Sequence, residues 1–121
     1  MKSYTDLEQS KKLAEILPLE SADMCYVIDY AESNKYGTDH FELEVDTYGF
    51  KVKTKDNIPC WSLAALLGVL PMIDFTTPQL IGTPKTLYRC MYNDDLKSHA
   101  YDNPIDACVE LVLKLHDLNL L

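Results

Sequence analysis

Tyr101 to Leu121, YDNPIDACVELVLKLHDLNLL, is the stretch whose reading decides the fold. Asn103 is a strong N-cap, because its side-chain oxygen can accept from a backbone N–H that has no partner inside the helix. Pro104 then takes the first helical position, where a missing N–H costs nothing. Asp102 and Asp106 bring negative charge to the positive end of the helix. Asp106, Glu110, Lys114 and Asp117 recur at intervals of three or four residues as one narrow polar stripe, with Glu110 ordered to pair with Lys114. Ile105, Cys108, Leu111, Val112, Leu115 and Leu118 make the expected inward face. Val109 and Leu113 widen it beyond what one sheet face would cover, so the helix needs a second cover: a neighbouring helix or another copy of the chain.

Working outward, the 121 residues suit a single domain, 1–121, because one hydrophobic core serves roughly 100 to 150 residues. Hydrophobic residues make up 47% and charged residues 25%, which excludes a disordered chain. No apolar run approaches the ~18 residues of a membrane span, and the start, MKSYTDLEQSKK, is polar. The expectation is a cytoplasmic protein with neither span nor signal peptide. A net charge of −8 argues against direct nucleic-acid binding, which needs a basic footprint, and raises the contrary idea of an acidic nucleic-acid mimic. Cys25, Cys60, Cys90 and Cys108 lie far apart, each in an apolar segment, and read as buried thiols.

Toward the N-terminus, Thr5 and Glu8 have the spacing of a capping box, so a first helix starts near Asp6 and stops at Pro18, with Leu7, Leu13, Ala14 and Leu17 inward. Met24 to Tyr30 carries apolar residues on both faces and reads as an interior strand. Phe41, Leu43 and Val45 alternate with Glu42, Glu44 and Asp46. A hairpin with the following Lys51, Lys53 and Lys55 would set Asp46, Glu44 and Glu42 opposite them in turn, and Val45 opposite Val52. Ile58 to Pro71 reads as a central buried helix bracketed by Pro59 and Pro71, in which Gly68 would allow a close approach. Gln79 to Ile81 and Thr86 to Tyr92 read as a second hairpin. These elements predict an α+β domain: an antiparallel sheet of four or five strands with about three helices on one face.

Chemistry is sparse. Cys60 is the one plausible nucleophile, since a helix N-terminus favours a thiolate, with His40 or His99 as its partner. Packing between Pro59 and Trp61 is the plainer role. Asp39, His40 and Glu42 could hold a metal only if the strand face expected of the hairpin were broken. His116 sits at the edge of the closing helix as a packing or interface residue. No metal or cofactor is expected. Tyr26 and Tyr30 share one strand face, and Tyr88 and Tyr92 share another; on neighbouring strands they would form an aromatic panel of the kind favoured at interfaces. With Val109 and Leu113 they are the candidate interface for an unknown protein partner or a second copy of the chain.

Asp-Asn-Pro-Ile-Asp-Ala at Asp102 to Ala107, followed by an apolar helix ending in Leu-His-Asp-Leu-Asn-Leu-Leu, resembles the C-terminus of small uncharacterised phage and prophage proteins. Ile58 to Pro71 and Thr5 to Asp23 resemble a group of such proteins from gut anaerobic bacteria. The resemblance implies a mobile-element origin and brings no activity with it. The resulting expectation is a non-enzymatic accessory or interaction protein of a phage-like element. Its alternatives are a small enzyme using Cys60 and His40, or an acidic mimic acting on a host defence protein.

Overall fold

The computed structural model describes residues 2–28, 35, 37, 41–45, 57–82 and 86–121. Along them run α1 (Leu7–Ala14), a single 3₁₀ turn (Leu19–Ser21), β1 (Met24–Ile28), β2 (Phe41–Val45), β3 (Ile58–Cys60), α2 (Leu63–Val69), β4 (Gln79–Gly82), β5 (Tyr88–Met91) and α3 (Pro104–Asp117). They fall into two compact units, one of Asp6–Trp61 and one of Met1–Thr5 with Ser62–Leu121. No helix of the described residues is long and apolar enough to cross a membrane.

The described residues form an α+β fold with α1, α2 and α3 as its helices, but the expected single sheet of four or five strands is not formed among them. The described strands make two sheets, a three-stranded one in the order β2-β1-β3 and a two-stranded one, β4-β5. Two local features account for the division. β3 is three residues long with Pro59 at its centre, and a proline offers no N–H to a further ladder. The free side of β5 is taken by its own continuation, through bridges Tyr88↔Tyr101 and Met91↔Lys97.

In the Asp6–Trp61 unit, α1 is capped one residue later than Thr5 and Glu8 suggest. Asp6 Oδ1 accepts from the Gln9 amide at 2.8 Å, and Gln9 Oε1 accepts from the Asp6 amide at 3.1 Å. The sequence offers both boxes, and the one used leaves Thr5 buried and turns Ser10, Leu13 and Leu17 inward. β1 is the middle strand, as its two apolar faces imply, pairing Met24 with Val45 and with Cys60. α1 packs on β3. The fully buried Trp61 donates its indole N–H to Ser21 Oγ at 2.9 Å, and that hydroxyl donates to the Pro18 carbonyl at 2.6 Å, so the buried indole keeps its hydrogen bond. The return strand and charge pairs expected at 46–55 lie outside the described residues.

The apolar run Ile58 to Pro71 is not one helix. Its first three residues are β3, and α2 begins only after Ser62, whose hydroxyl accepts from the Ala65 amide at 3.2 Å. A serine beside the last strand residues is a stronger start signal than the proline. Nor is α2 buried all round. Leu66 is covered while Ala64 and Gly68 are exposed, and a Cβ at Gly68 would meet nothing within 4 Å, so that glycine mediates no close approach.

In the same unit α2 and β5 both pack against α3, which supplies the second cover that α3's girth demands. Asn103 Oδ1 accepts from the Asp106 amide at 2.9 Å with Pro104 at the first helical position, as read from sequence. Asp106 Oδ1 also takes Lys2 Nζ at 2.8 Å, tying the N-terminal arm to the start of α3. Ile105, Cys108, Leu111, Val112 and Leu115 are buried, but Leu118 is 53% exposed. It is the C-cap, where the helix stops: Asn119, at φ 58°, donates to the His116 carbonyl at 3.0 Å, and Leu120 donates to the Leu115 carbonyl at 2.9 Å. These two bonds make a Schellman closure, with asparagine in the left-handed position usually given to glycine.

Candidate functional site

The most elaborated local structure is the edge of β5. Asn93 Oδ1 accepts from the amides of Asp95 and Leu96, both at 2.9 Å, which folds the chain back on itself. The returning segment pairs Lys97 with Met91 and Tyr101 with Tyr88. Between these bridges one side has Arg89 and Cys90, while the other has Ser98, His99 and Ala100, so the returning segment carries a one-residue bulge. Ser98 makes the bulge tolerable. Its buried hydroxyl accepts from the Cys90 amide at 3.0 Å, a bond a regular ladder would give to a carbonyl, and donates to the His99 carbonyl at 2.7 Å.

The helix beside this edge fastens the bulge. Glu110 Oε2 accepts from the His99 amide at 2.7 Å, and Oε1 lies 2.5 Å from His99 Nδ1. Lys114 Nζ donates to the Lys97 carbonyl at 2.6 Å. The expected Glu110 to Lys114 pair along the helix is therefore replaced by three contacts from α3 to the returning segment. Burial works against Glu110's charge, but the His99 ring and amide with the Tyr101 hydroxyl outweigh it and hold the carboxyl below its ordinary value. Burial, then the bond to Glu110 and the charges of Glu110 and Asp106, push the Tyr101 phenol up.

Beside the bulge is a polar cleft of about 180 Å³, lined by Arg89, Asp94, Asp95, Lys97, Ser98, His99 and Lys114. Arg89 lies opposite Ile81 of β4 on one side and opposite the bulge on the other. Its Nε is buried and donates to no protein atom.

The second unusual feature lies between α2 and β4. Ile73 and Thr76 exchange both backbone bonds, at 3.0 and 2.8 Å, around Asp74 and Phe75, whose φ values are 49° and 64°. Two consecutive left-handed residues are the mark of a type I′ turn, usually built from asparagine and glycine. Here one of them is a phenylalanine, and it is 97% exposed. Met72 beside it is exposed as well.

The candidates named from sequence fall in both units. Tyr26 is half-buried in β1, whose sheet neighbours are β2 and β3, whereas Tyr88 and Tyr92 belong to β5 and its end, so strand pairing joins no panel. Tyr30 lies outside the described residues. Tyr92 is buried, its hydroxyl donating to the Pro71 carbonyl at 2.5 Å, and burial followed by the charge of Cys90 pushes its pKa up to about 12. Val109 is 4% exposed and Leu113 half-buried. Cys60 sits in β3 and not at a helix N-terminus, and it is fully buried, which removes the reason to expect a thiolate there. His40 and Asp39 lie outside the described residues, and His116 is exposed. Among the described residues no cluster of three histidine, cysteine or acidic side chains could hold a metal.

The structure also brings Cys90 and Cys108 together, both fully buried. Their hydrogen bond, then burial and the charge of Cys90, push the Cys108 thiol up. Neither that pairing nor Arg89, Ser98 and Phe75 is marked by a motif. The nearest signal is Asn93-Asp94-Asp95, which announces a turn but not what it returns to. Comparison with known protein families, with curated proteins and with solved structures finds no match.

Proposed function

We propose that this chain is a non-enzymatic accessory protein that works by binding another protein, with Phe75 as its anchor. The observation that carries the reading is a large aromatic side chain held out almost wholly in water on a turn that a phenylalanine adopts only at a cost. Left-handed backbone costs a residue with a Cβ about 1–2 kcal/mol, and such strain concentrates where a side chain is held for use. Aromatic side chains of this kind dominate binding energy when they enter a partner's pocket. The partner is accordingly a protein with an apolar pocket sized for one ring. A phage-like setting for it rests on the resemblance of Asp102 to Ala107 and its helix. Cys60 offers no nucleophile to an enzyme, because its thiol is buried in a strand.

A photo-crosslinking amino acid placed at position 75, and as a control at the exposed Glu8, tests the reading in the native host. One defined adduct from position 75, absent from position 8 and competed by excess wild-type protein but not by Phe75→Ser, is the expected result. No adduct at 75, or equal competition by Phe75→Ser, would overturn it.

A further inference from the structure

The cleft beside the bulge is independent of Phe75, and its chemistry is different. Of its charged lining residues, Arg89, Lys97 and Lys114 are half-buried, while Asp94 and Asp95 are exposed. A charge acts more strongly where water is excluded, so the half-buried cations outweigh the exposed carboxylates even though the whole chain carries −8. The donors are specific. Arg89 Nε is buried and bonds to no protein atom, although a buried N–H left unsatisfied costs about 1–3 kcal/mol. Lys114 commits one N–H to the Lys97 carbonyl, and an ammonium has further donors. The Ser98 hydroxyl gives its proton to the His99 carbonyl, and Glu110 takes the His99 amide and faces its ring nitrogen Nδ1. Ser98, His99 and Lys114 are thus bonded within the protein, and the buried Arg89 Nε–H is left over. The volume of about 180 Å³ is below the ~300 Å³ at which sites for drug-sized ligands begin.

We infer that this cleft binds a small oxyanion, phosphate or carboxylate, with the Arg89 guanidinium as its anchor and the Lys97 and Lys114 ammoniums closing around it. A guanidinium presents parallel donors that match two oxygens of one anion, which a lone ammonium does not. The bulge has a role in this account. It places two residues opposite Arg89, so the regular cross-strand neighbour that would cover the guanidinium is displaced.

Titration of the full chain with inorganic phosphate, and separately with acetate, at constant ionic strength in chloride tests this through the Arg89 Nε–H resonance. Saturable movement with either anion supports the site, and the arm that saturates at lower concentration identifies which oxyanion it prefers. Arg89→Gln is expected to weaken binding about tenfold or more, with Arg89→Lys recovering only part. The Asp94→Asn, Asp95→Asn double variant is expected to tighten binding about threefold by removing repulsion from the two exposed carboxylates. If Arg89→Gln does not fold, the wild-type resonance still decides. A shift no larger than chloride gives, full affinity in Arg89→Gln or Arg89→Lys, or weaker binding in the aspartate double variant overturns the proposal.

Discussion

Glu110 of α3 accepts from the backbone amide of His99 at 2.7 Å and faces the same residue's ring nitrogen Nδ1 at 2.5 Å. One carboxylate thus fixes both the position of a bulged strand and the rotamer of its extra residue. Because the folded protein holds Glu110 below its ordinary pKa, the stabilisation is fully present above the unfolded glutamate value of about 4.3 and is lost as pH falls through the lower folded value. Glu110→Gln is expected to cost about 1–2 kcal/mol near neutrality. In urea titrations the gap between wild type and variant should close below about pH 4. A gap of equal size at about pH 6 and about pH 3 would show that the charge is not what fastens the bulge.

Tyr92 gives the opposite sign. Its phenol, buried and donating to the Pro71 carbonyl at 2.5 Å, has its pKa raised to about 12, so its contribution is present below the unfolded tyrosine value of about 10 and is lost as pH rises toward about 12. Tyr92→Phe removes the donor and leaves that carbonyl to find another partner, at roughly 1 kcal/mol. Thermal melts should show the difference at neutral pH and a narrowing of it above about pH 10. Ultraviolet titration that finds every tyrosine ionising together near 10 would contradict the burial assigned to Tyr92.

All four cysteines are fully buried thiols outside any disulfide. The native protein is therefore expected to react with no thiol reagent on the timescale of minutes, and the denatured chain with four equivalents. Cys60→Ala should leave partner capture unchanged and lower stability by roughly 1 kcal/mol, a packing effect in β3. A fast-reacting native thiol that Cys60→Ala abolishes would restore the enzymatic alternative.

How much was legible depends on how local the deciding physics is. Asn103-Pro104 and the stripe of α3 were readable because a cap needs only its own next few residues. The first cap was displaced by one because Thr5 and Asp6 each have a suitable partner three residues on, and burial of Thr5 chooses between them. Ile58 to Pro71 misled because a short apolar run fits a buried strand or a helix equally, and Ser62 is the residue that divides it. The single sheet failed for a non-local reason: the side of β5 open to other strands is filled from Lys97 to Tyr101. No pattern marks that segment as a strand, since a serine hydroxyl replaces one of its ladder bonds. Cap and arm at the start of α3 are separable by substitution. Asn103→Ala should cost about 1 kcal/mol, and Lys2→Ala, which breaks a partly exposed ion pair to Asp106, no more than about 0.5 kcal/mol. A larger loss from Lys2→Ala than from Asn103→Ala would mean that the arm and not the cap holds the start of α3.

Phe75 separates stability from function most sharply. Its backbone at φ 64° and its ring at 97% exposure mean that it contributes strain and little burial to the folded chain. Glycine relieves a cost of about 1–2 kcal/mol in the left-handed region and returns roughly 0.5–1 kcal/mol through its larger unfolded-state entropy. Phe75→Gly is therefore expected to raise stability by about 0.5–1 kcal/mol, visible as a higher urea midpoint at unchanged slope. The same variant should lose the crosslinked partner's affinity by about a hundredfold, the effect of truncating one aromatic anchor. Alanine at the same position keeps the strain and removes the ring, so Phe75→Ala should lose the partner without the gain in stability. The two substitutions together distinguish a ring held out for binding from a turn that merely tolerates one. If Phe75→Gly destabilises the chain, the ring is serving the fold, and the anchor must be sought elsewhere.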